Sequence, residues 1–330
     1  RSLALGGNSR REHFPTKETC IDYVNDIDGP ETCNTYNMLK LTEDLNRVNH
    51  QGMYGDFYET AIFNHILSAQ HPEHGGYVYF TSARPRHYRN YSAPNKAMWC
   101  CVGTGMEDHG KYGQFIWTHD KGMKTEDDAL YVNLFVASEL NWKERKMVLR
   151  QQTAFPYAET SNIEVTKGKG VFTLKIRKPL WCDNFTVKGV GFVVDCYEEN
   201  GFVCIKRKWK KGDQVEISMP MHASIKPMIN VPQYVAIMYG PILLGMKSGT
   251  EDMRSLIADD SRFGQYAAGM KLPLDKAPIL LPKHLNDIAK DLKPIPDKPL
   301  HFKLATHMEN VINGELQPFF EIHDSRYMMY

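Results

Sequence analysis

The chain lacks the features that would place it at a glance. No apolar run approaches the roughly 20 residues of a membrane-spanning helix. Charge of one sign is missing too: 40 Lys and Arg stand against 39 Asp and Glu, a formal charge of +1, which excludes the basic footprint of a nucleic-acid or anionic-membrane binder. Cysteine is sparse and odd in number, 7 in 330 residues. A disulfide framework is therefore not expected, and free or metal-bound thiols are. The redox compartment stays open, with a periplasmic or secreted setting favoured over a cytoplasmic one. There is no internal repeat and no low-complexity tract. Residues Arg1 to Gly7 offer neither an initiator Met nor a charged-then-apolar leader, and they read as the middle of a domain.

What is present is aromatic surface and one unusual stretch. Tyr (17) and Phe (15) far outnumber Trp (5), a supply of rings that stack on flat apolar faces such as those of sugars. The stretch is Trp99-Cys100-Cys101-Val102-Gly103-Thr104-Gly105, adjacent cysteines followed by two glycines that allow close backbone approach. With Glu31-Thr32-Cys33 upstream it supplies three thiols and a carboxylate, the ligand number and type of a closed tetrahedral zinc site.

The order of patterns is helical first and β afterwards. Gly29-Pro30 opens a helical period carried by Tyr36, Leu39, Leu41, Leu45 and Val48. Glu31 and Cys33 would point to opposite sides of a regular helix, so they can share a ligand only through an irregular first turn. A second helix is expected from Asp56 to Gln70, with Phe57, Ala61, Ile62, Ile66 and Leu67 buried, and an aromatic strand at Tyr77-Val78-Tyr79-Phe80. His71 and His74 are rival metal ligands by spacing. The basic cluster Arg84 to Arg89 reads as a latch onto acidic neighbours. A third helix is expected just past Cys101, its positive end favouring the thiolates. From about residue 129 the period changes to that of strands, continuing to Leu244, and Asn200-Gly201 marks a hairpin. Cys182, Cys196 and Cys204 read as small core or surface residues. Prolines crowd residues 250–300, an irregular wrapping segment, before strands at His301–Ala305 and Gln317–Ile322.

With GGNSRREHF, GPETCNTYNMLKLTEDL, HPEHGGYVYF and MWCCVGTG in hand, the chain resembles the β-L-arabinofuranosidases of glycoside hydrolase families 127 and 146, and is nearest the 146 type. The likeness covers nearly the whole length. It implies a multi-domain fold, α then β: 1–126 as the C-terminal part of an (α/α)6 barrel, 127–249 as an antiparallel β-sandwich, and 250–330 as an irregular segment plus strands of a second β region. It also implies roles by position. Glu31, Cys33, Cys100 and Cys101 would hold Zn(II), Cys100 would be the nucleophile and Glu12 the general acid/base, and Glu59 and Tyr79 would line the sugar pocket. Alone, Glu12 is a solvated loop carboxylate, Glu59 a helix carboxylate facing water, and Tyr79 a core aromatic.

The expected activity is retaining hydrolysis that releases β-linked L-arabinofuranose from plant-type glycans, with a thiolate in place of the usual second carboxylate. Cys100 is then the ligand expected to loosen during turnover. The partner is a carbohydrate, with neither nucleic acid nor membrane. Two alternatives stand beside this reading: another exo-glycosidase on the same scaffold, and a structural zinc site in a carbohydrate-binding protein. Only about three helical segments are visible against the twelve of a complete barrel, so the missing N-terminal barrel half or a partner chain is expected to complete it. Without that completion the chain is expected to be poorly stable or inactive.

Overall fold

The structure is a computed structural model that describes residues 2–261, 263–286 and 288–330. The chain forms two compact units, one of residues 1–41, 60–109 and 222–330, the other of 42–59 and 110–221. Among the described residues no helix is long and apolar enough to cross a membrane.

The expected helices are present at Thr32–Val48, Gly52–Ala61 and Cys100–Lys111. The second helix buries Ala61, Ile62 and Ile66 as expected, whereas the buried face of the first differs from the expectation. In the first helix Tyr36 and Leu39 are buried, but Leu41, Leu45 and Val48 are exposed, and Thr32, Thr35, Thr42, Glu43 and Asn46 take the inner face. That inner face is mostly polar, so the apolar stripe of this helix does not mark its buried side. The second helix starts four residues earlier than expected and ends in a π turn, Ile62–Ile66, followed by a 3-10 turn, Leu67–Ala69. The π turn sets Asn64 to bridge the hairpin of the C-terminal sheet: its amide donates to the Pro241 carbonyl at 2.7 Å and its carbonyl accepts from the Leu243 N–H at 2.7 Å.

The first unit carries a sheet in the order Ala223–Met228, Val231–Tyr239, Ile242–Lys247, Glu315–Pro318, Phe302–Lys303, Lys293–Pro294, with Tyr327–Met328 also on Ile242–Lys247. The end of the strand-period region, up to Leu244, is thus two strands of a hairpin, turned at Gly240, whose φ of +55° suits a residue without a Cβ. The sheet shares one core with the N-terminus, where Leu3, Leu5, Tyr23 and Val24 meet Met238, Leu243, Phe319 and Tyr327.

The second unit is a sandwich of two five-stranded sheets. One runs Trp117–Asp120, Ala129–Val132, Lys169–Arg177, Phe202–Lys210, Tyr197–Glu199; the other runs Ser138–Trp142, Met147–Thr153, Thr160–Lys167, Gln214–Ser218, Thr186–Gly189. Alternating burial along Thr160–Lys167 and Gln214–Ser218 is the period of strands with one wet face. Trp142 of one sheet meets Phe172 of the other edge-to-face at 5.3 Å. Asn200 (φ +52°) and Gly201 (φ +81°) make the expected two-residue hairpin turn. The sandwich departs from a purely antiparallel one at Ala129–Val132, which pairs in parallel with Thr173–Ile176. The first two strands after residue 129, Ala129–Val132 and Ser138–Trp142, therefore belong to different sheets.

Burial in this unit also corrects the water-facing reading of Glu59, which is 1% exposed. One oxygen pairs with the Arg177 guanidinium at 2.5 Å, the other accepts from the Trp181 indole at 2.9 Å, and Arg177 reaches Asp56 at 2.6 Å. Burial lifts the Glu59 and Asp56 carboxyls above their usual range, and the Arg177 charge opposes that lift. Removing the guanidinium leaves two carboxylates uncompensated, so Arg177→Met should cost about 3–5 kcal/mol of stability in urea unfolding. Lys178→Ala, which breaks the exposed pair with Glu198, should cost about 1 kcal/mol or less.

Candidate metal and catalytic centre

The site begins with a short backbone pairing. Residues 77–81 are extended, as expected, but they form bridges with neighbouring segments rather than a sheet strand. Thr32 N–H donates to the Tyr79 carbonyl and Thr81 N–H to the Pro30 carbonyl, each at 3.0 Å, with Glu31 opposite Phe80. Glu31 is therefore still extended, the helix starts one residue later, and Cys33 lies in its first turn. That junction is the irregularity the two ligands needed. The Glu31 N–H is held by the Ser9 hydroxyl at 3.0 Å.

The second helix of the site starts at Cys100 itself. Both helix N-termini thus carry site thiols in the first turn, where the dipole favours negative charge. Cys33 and Cys101 sulfurs are 3.2 Å apart, Cys100 and Cys101 4.0 Å, and a Glu31 oxygen is 3.7 Å from Cys100 and 3.9 Å from Cys101. All four ligand atoms lie within 4.8 Å of one another. Tetrahedral bonds of about 2.0–2.3 Å around one ion put ligands roughly 3.5–3.8 Å apart, so these residues could hold one metal ion. Electrostatics agrees. Burial, with the charges of Cys100 and Glu12, pushes the Glu31 carboxyl up to about 7, and burial raises the Cys101 thiol. Hydrogen bonds from Cys101 and Cys33 draw the Cys100 thiol well below its ordinary value. Negative charge thus gathers on Cys100, and a cation among the four would let the rest ionise.

Burial divides the quartet. Glu31, Cys33 and Cys101 are buried, whereas Cys100 is exposed. The Cys100 sulfur lies 3.6 Å from the hydroxyl of the buried Tyr79, and that hydroxyl donates to Glu12. Glu12 and Cys100 therefore flank one hydroxyl. Glu12 itself sits in an exposed turn closed by paired bonds between Arg10 and His13 at 2.9 and 3.0 Å. The two turn residues, Arg11 (φ +49°) and Glu12 (φ +65°), are both left-handed without being Gly or Asn, strain that collects at functional positions. Arg10 braces the turn on Asp22 at 3.1 Å and Asp26 at 2.8 Å, and Arg11 pairs with the buried Asp28. These braces lie beyond the sequence reading, since nothing in RREHF marks a two-residue turn.

Glu59 lies in the other unit with both carboxylate oxygens engaged as described. The rival ligands His71 and His74 stack on each other at 3.8 Å and serve their loop. His71 pairs with Asp324 at 2.9 Å and accepts from the Glu73 N–H, and His74 accepts from the Gly76 N–H. Among the described residues the Glu31 quartet is the one group of three or more such side chains converging on a point. The basic cluster is a latch, but mostly onto carbonyls: Arg84 donates to Val24, Asn25 and Leu272, and Arg89 to Ser68 and Ile322, while Arg86 pairs with an acid, Glu251, at 3.7 Å. A guanidinium's five donors suit buried carbonyls that lack other partners.

Comparison with known proteins follows this geometry. Residues 1–114 match the β-L-arabinofuranosidase GH127 catalytic domain and residues 129–221 the GH127 middle domain. The chain belongs to the GH127 β-L-arabinofuranosidase family. Residues 224–330 match a domain of unknown function. No curated protein matches the sequence. A solved GH127 beta-arabinofuranosidase superposes with TM-score 0.63 at 23% identity, over 75% of this chain and 42% of its own. A GH127 β-L-arabinofuranosidase from Geobacillus stearothermophilus T6 gives 0.67 at 19%, over 100% and 54%. A structure described as a glycoside hydrolase gives 0.65 at 19%, over 92% and 52%. This GH127 chain spans about half the length of those structures, and the likeness carries its fold.

The metal assignment is measurable. The purified protein should bind one equivalent of Co(II) with thiolate-to-metal charge-transfer absorption. Cys33→Ser and Cys101→Ser should reduce occupancy at least about tenfold, while His71→Ala should leave it intact.

Proposed function

We propose that this chain carries the catalytic centre of a retaining glycoside hydrolase that releases β-linked L-arabinofuranose, with Cys100 as nucleophile and Glu12 as general acid/base. The observation that carries the reading is the Tyr79 hydroxyl, which touches both Glu12 and Cys100 at the one exposed corner of an otherwise buried ligand set. A purely structural metal site needs neither an exposed ligand nor a strained turn that brings a carboxylate to it. The sugar follows the family and the names of the solved relatives.

The donor set, three sulfurs and one carboxylate, suits Zn(II) held by Glu31, Cys33, Cys100 and Cys101. Bound there, zinc keeps thiolate sulfur ionised near neutral pH, where a free cysteine is mostly protonated. The protein's own groups do the rest. Glu12, protonated, gives its proton to the leaving oxygen as the Cys100 sulfur attacks the anomeric carbon from the other side; the glycosidic bond breaks and a carbon–sulfur bond forms. Glu12, now a carboxylate, takes a proton from water, which displaces the sulfur and frees the sugar with its anomeric configuration retained. Tyr79 orients both groups before the sugar arrives. A retaining pair needs its groups about 5 Å apart, and flanking one hydroxyl keeps Glu12 and Cys100 within a few ångströms of each other.

Cys100→Ala should keep the fold and abolish hydrolysis of an aryl β-L-arabinofuranoside, a loss of at least about 10³-fold in kcat. Glu12→Gln should slow a poor leaving group about 10²-fold or more, and a good one much less. Loss of folding together with loss of metal in Cys100→Ala, measured by circular dichroism and metal analysis, would instead favour the structural site.

A further inference from the structure

The domain of unknown function reaches the site through one loop. Residues 252–270 follow the strand Ile242–Lys247 of the C-terminal sheet, and the two ends of this stretch are pinched together. The Met270 N–H donates to the Asp252 carboxylate at 2.6 Å, and the fully buried Arg326 guanidinium holds the Asp252 and Met270 carbonyls at 3.0 and 3.1 Å. A Cβ on Gly269 would lie 2.0 Å from the Asp252 carbonyl oxygen, so the pinch admits only glycine there.

The loop body is fastened to residues 87–91. Ala258 N–H donates to the Tyr91 carbonyl and Tyr91 N–H to the Leu256 carbonyl, each at 2.8 Å, and the Asn90 amide donates to the Gly264 carbonyl at 2.7 Å. The His87 ring contacts the Ala267 carbonyl at 3.1 Å. Those anchors bring Ala258 into the same buried cluster as Cys33, Cys101, Tyr79, Phe80 and Trp99. They also place the Tyr266 ring on Phe80, stacked at 5.2 Å, while Phe80 packs on Tyr79 at 4.6 Å. Three rings thus run in series from the hydroxyl between Glu12 and Cys100 out to Tyr266, whose side remains open at 36% exposure. The Tyr266 phenol lies within electrostatic range of Asp28, Glu12 and Arg11.

We propose that this loop forms the leaving-group subsite, with Tyr266 the platform on which the sugar carrying the arabinofuranosyl group stacks. The inference rests on the functional reading above and deepens it. A proton donor stands beside the departing oxygen, so a ring on the Glu12 side meets the departing part of the substrate. A half-exposed phenol already stacked on a buried ring presents a flat, rigid face at small entropic cost, which suits the C–H face of a saccharide. Trp99 Nε1 and Gln265 Oε1, buried and without a hydrogen-bond partner among the described residues, are spare polar atoms within the same cluster and loop.

The test compares two substrates on the intact protein: methyl β-L-arabinofuranoside, which has nothing to stack, and a disaccharide with the same non-reducing sugar. Tyr266→Ala should lower the ratio of kcat/KM for disaccharide over methyl glycoside about tenfold, mainly through KM, and Tyr266→Phe should hold the ratio within about twofold of wild type. An unchanged ratio in Tyr266→Ala, whether both substrates slow equally or neither does, overturns the subsite while leaving the functional reading in place. Wild-type protein that has its barrel completed and cleaves neither substrate overturns the functional reading, and the subsite with it.

Discussion

The site depends on the pairing of Pro30–Thr32 with Tyr79–Thr81. Two backbone bonds, reinforced by the Thr32 hydroxyl on the Val78 carbonyl at 2.8 Å, fix a helix start against an extended segment. Glu31 and Cys33 on one side and Tyr79 on the other then have no freedom to drift apart. The approach is so close that a Cβ on Gly29 would lie 1.8 Å from the Thr81 carbonyl oxygen. The Gly-Pro entry is therefore required by the backbone itself. The second helix is set with the same economy: a Cβ on Gly105 would meet the Tyr77 ring at 2.3 Å, so Gly105 lets the Cys100–Lys111 helix lie directly on the segment that leads to Tyr79.

Once that frame exists, the chemistry is a matter of unequal burial. Cys33, Cys101 and Glu31 are charged-when-active groups taken out of water, which costs several kcal/mol per ion unless a counter-charge sits among them. Cys100 carries the same chemical group at an exposed position. The tandem cysteines thus do two jobs with one helix start: adjacent positions on a first turn project differently, so one sulfur faces inward and its neighbour outward. A single cysteine at either position could not be both enclosed and exposed.

How much of this was readable from residues alone follows from the range of each interaction. The ligand quartet and the order of helices before strands were legible, because adjacent cysteines, Glu-Thr-Cys and a change from helical to strand period are local signals. The Asn200-Gly201 hairpin was legible for the same reason. The inner face of the helix Thr32–Val48 was not, since polar residues such as Thr35, bonded to the buried His65 at 2.8 Å, hold it through long-range hydrogen bonds that no periodicity encodes. The parallel pairing of Ala129–Val132 and the shared core of the N-terminus with the C-terminal sheet are likewise products of distant contacts. Residues 250–300 gave the weakest signal of all, yet they contain the loop laid against the site. Its contacts are mainly backbone bonds and one stacked ring, which leave almost no mark on composition.

The basic cluster Arg84 to Arg89 connects these observations. Its guanidiniums satisfy carbonyls from the N-terminal helix turn, the segment after the π turn and the C-terminal loops. Each such bond removes a buried carbonyl that would otherwise cost about 1–3 kcal/mol. Residues 87–91 then receive the loop of the C-terminal domain along their own backbone and side chains. One short run therefore braces the frame that holds the thiolates on one side and the wall that carries Tyr266 on the other. The C-terminal sheet is consequently part of the same unit as the Glu31 quartet in energetic terms: strip it away, and the carbonyl-capping arginines, the π turn at Asn64 and the loop against residues 87–91 all lose their partners at once.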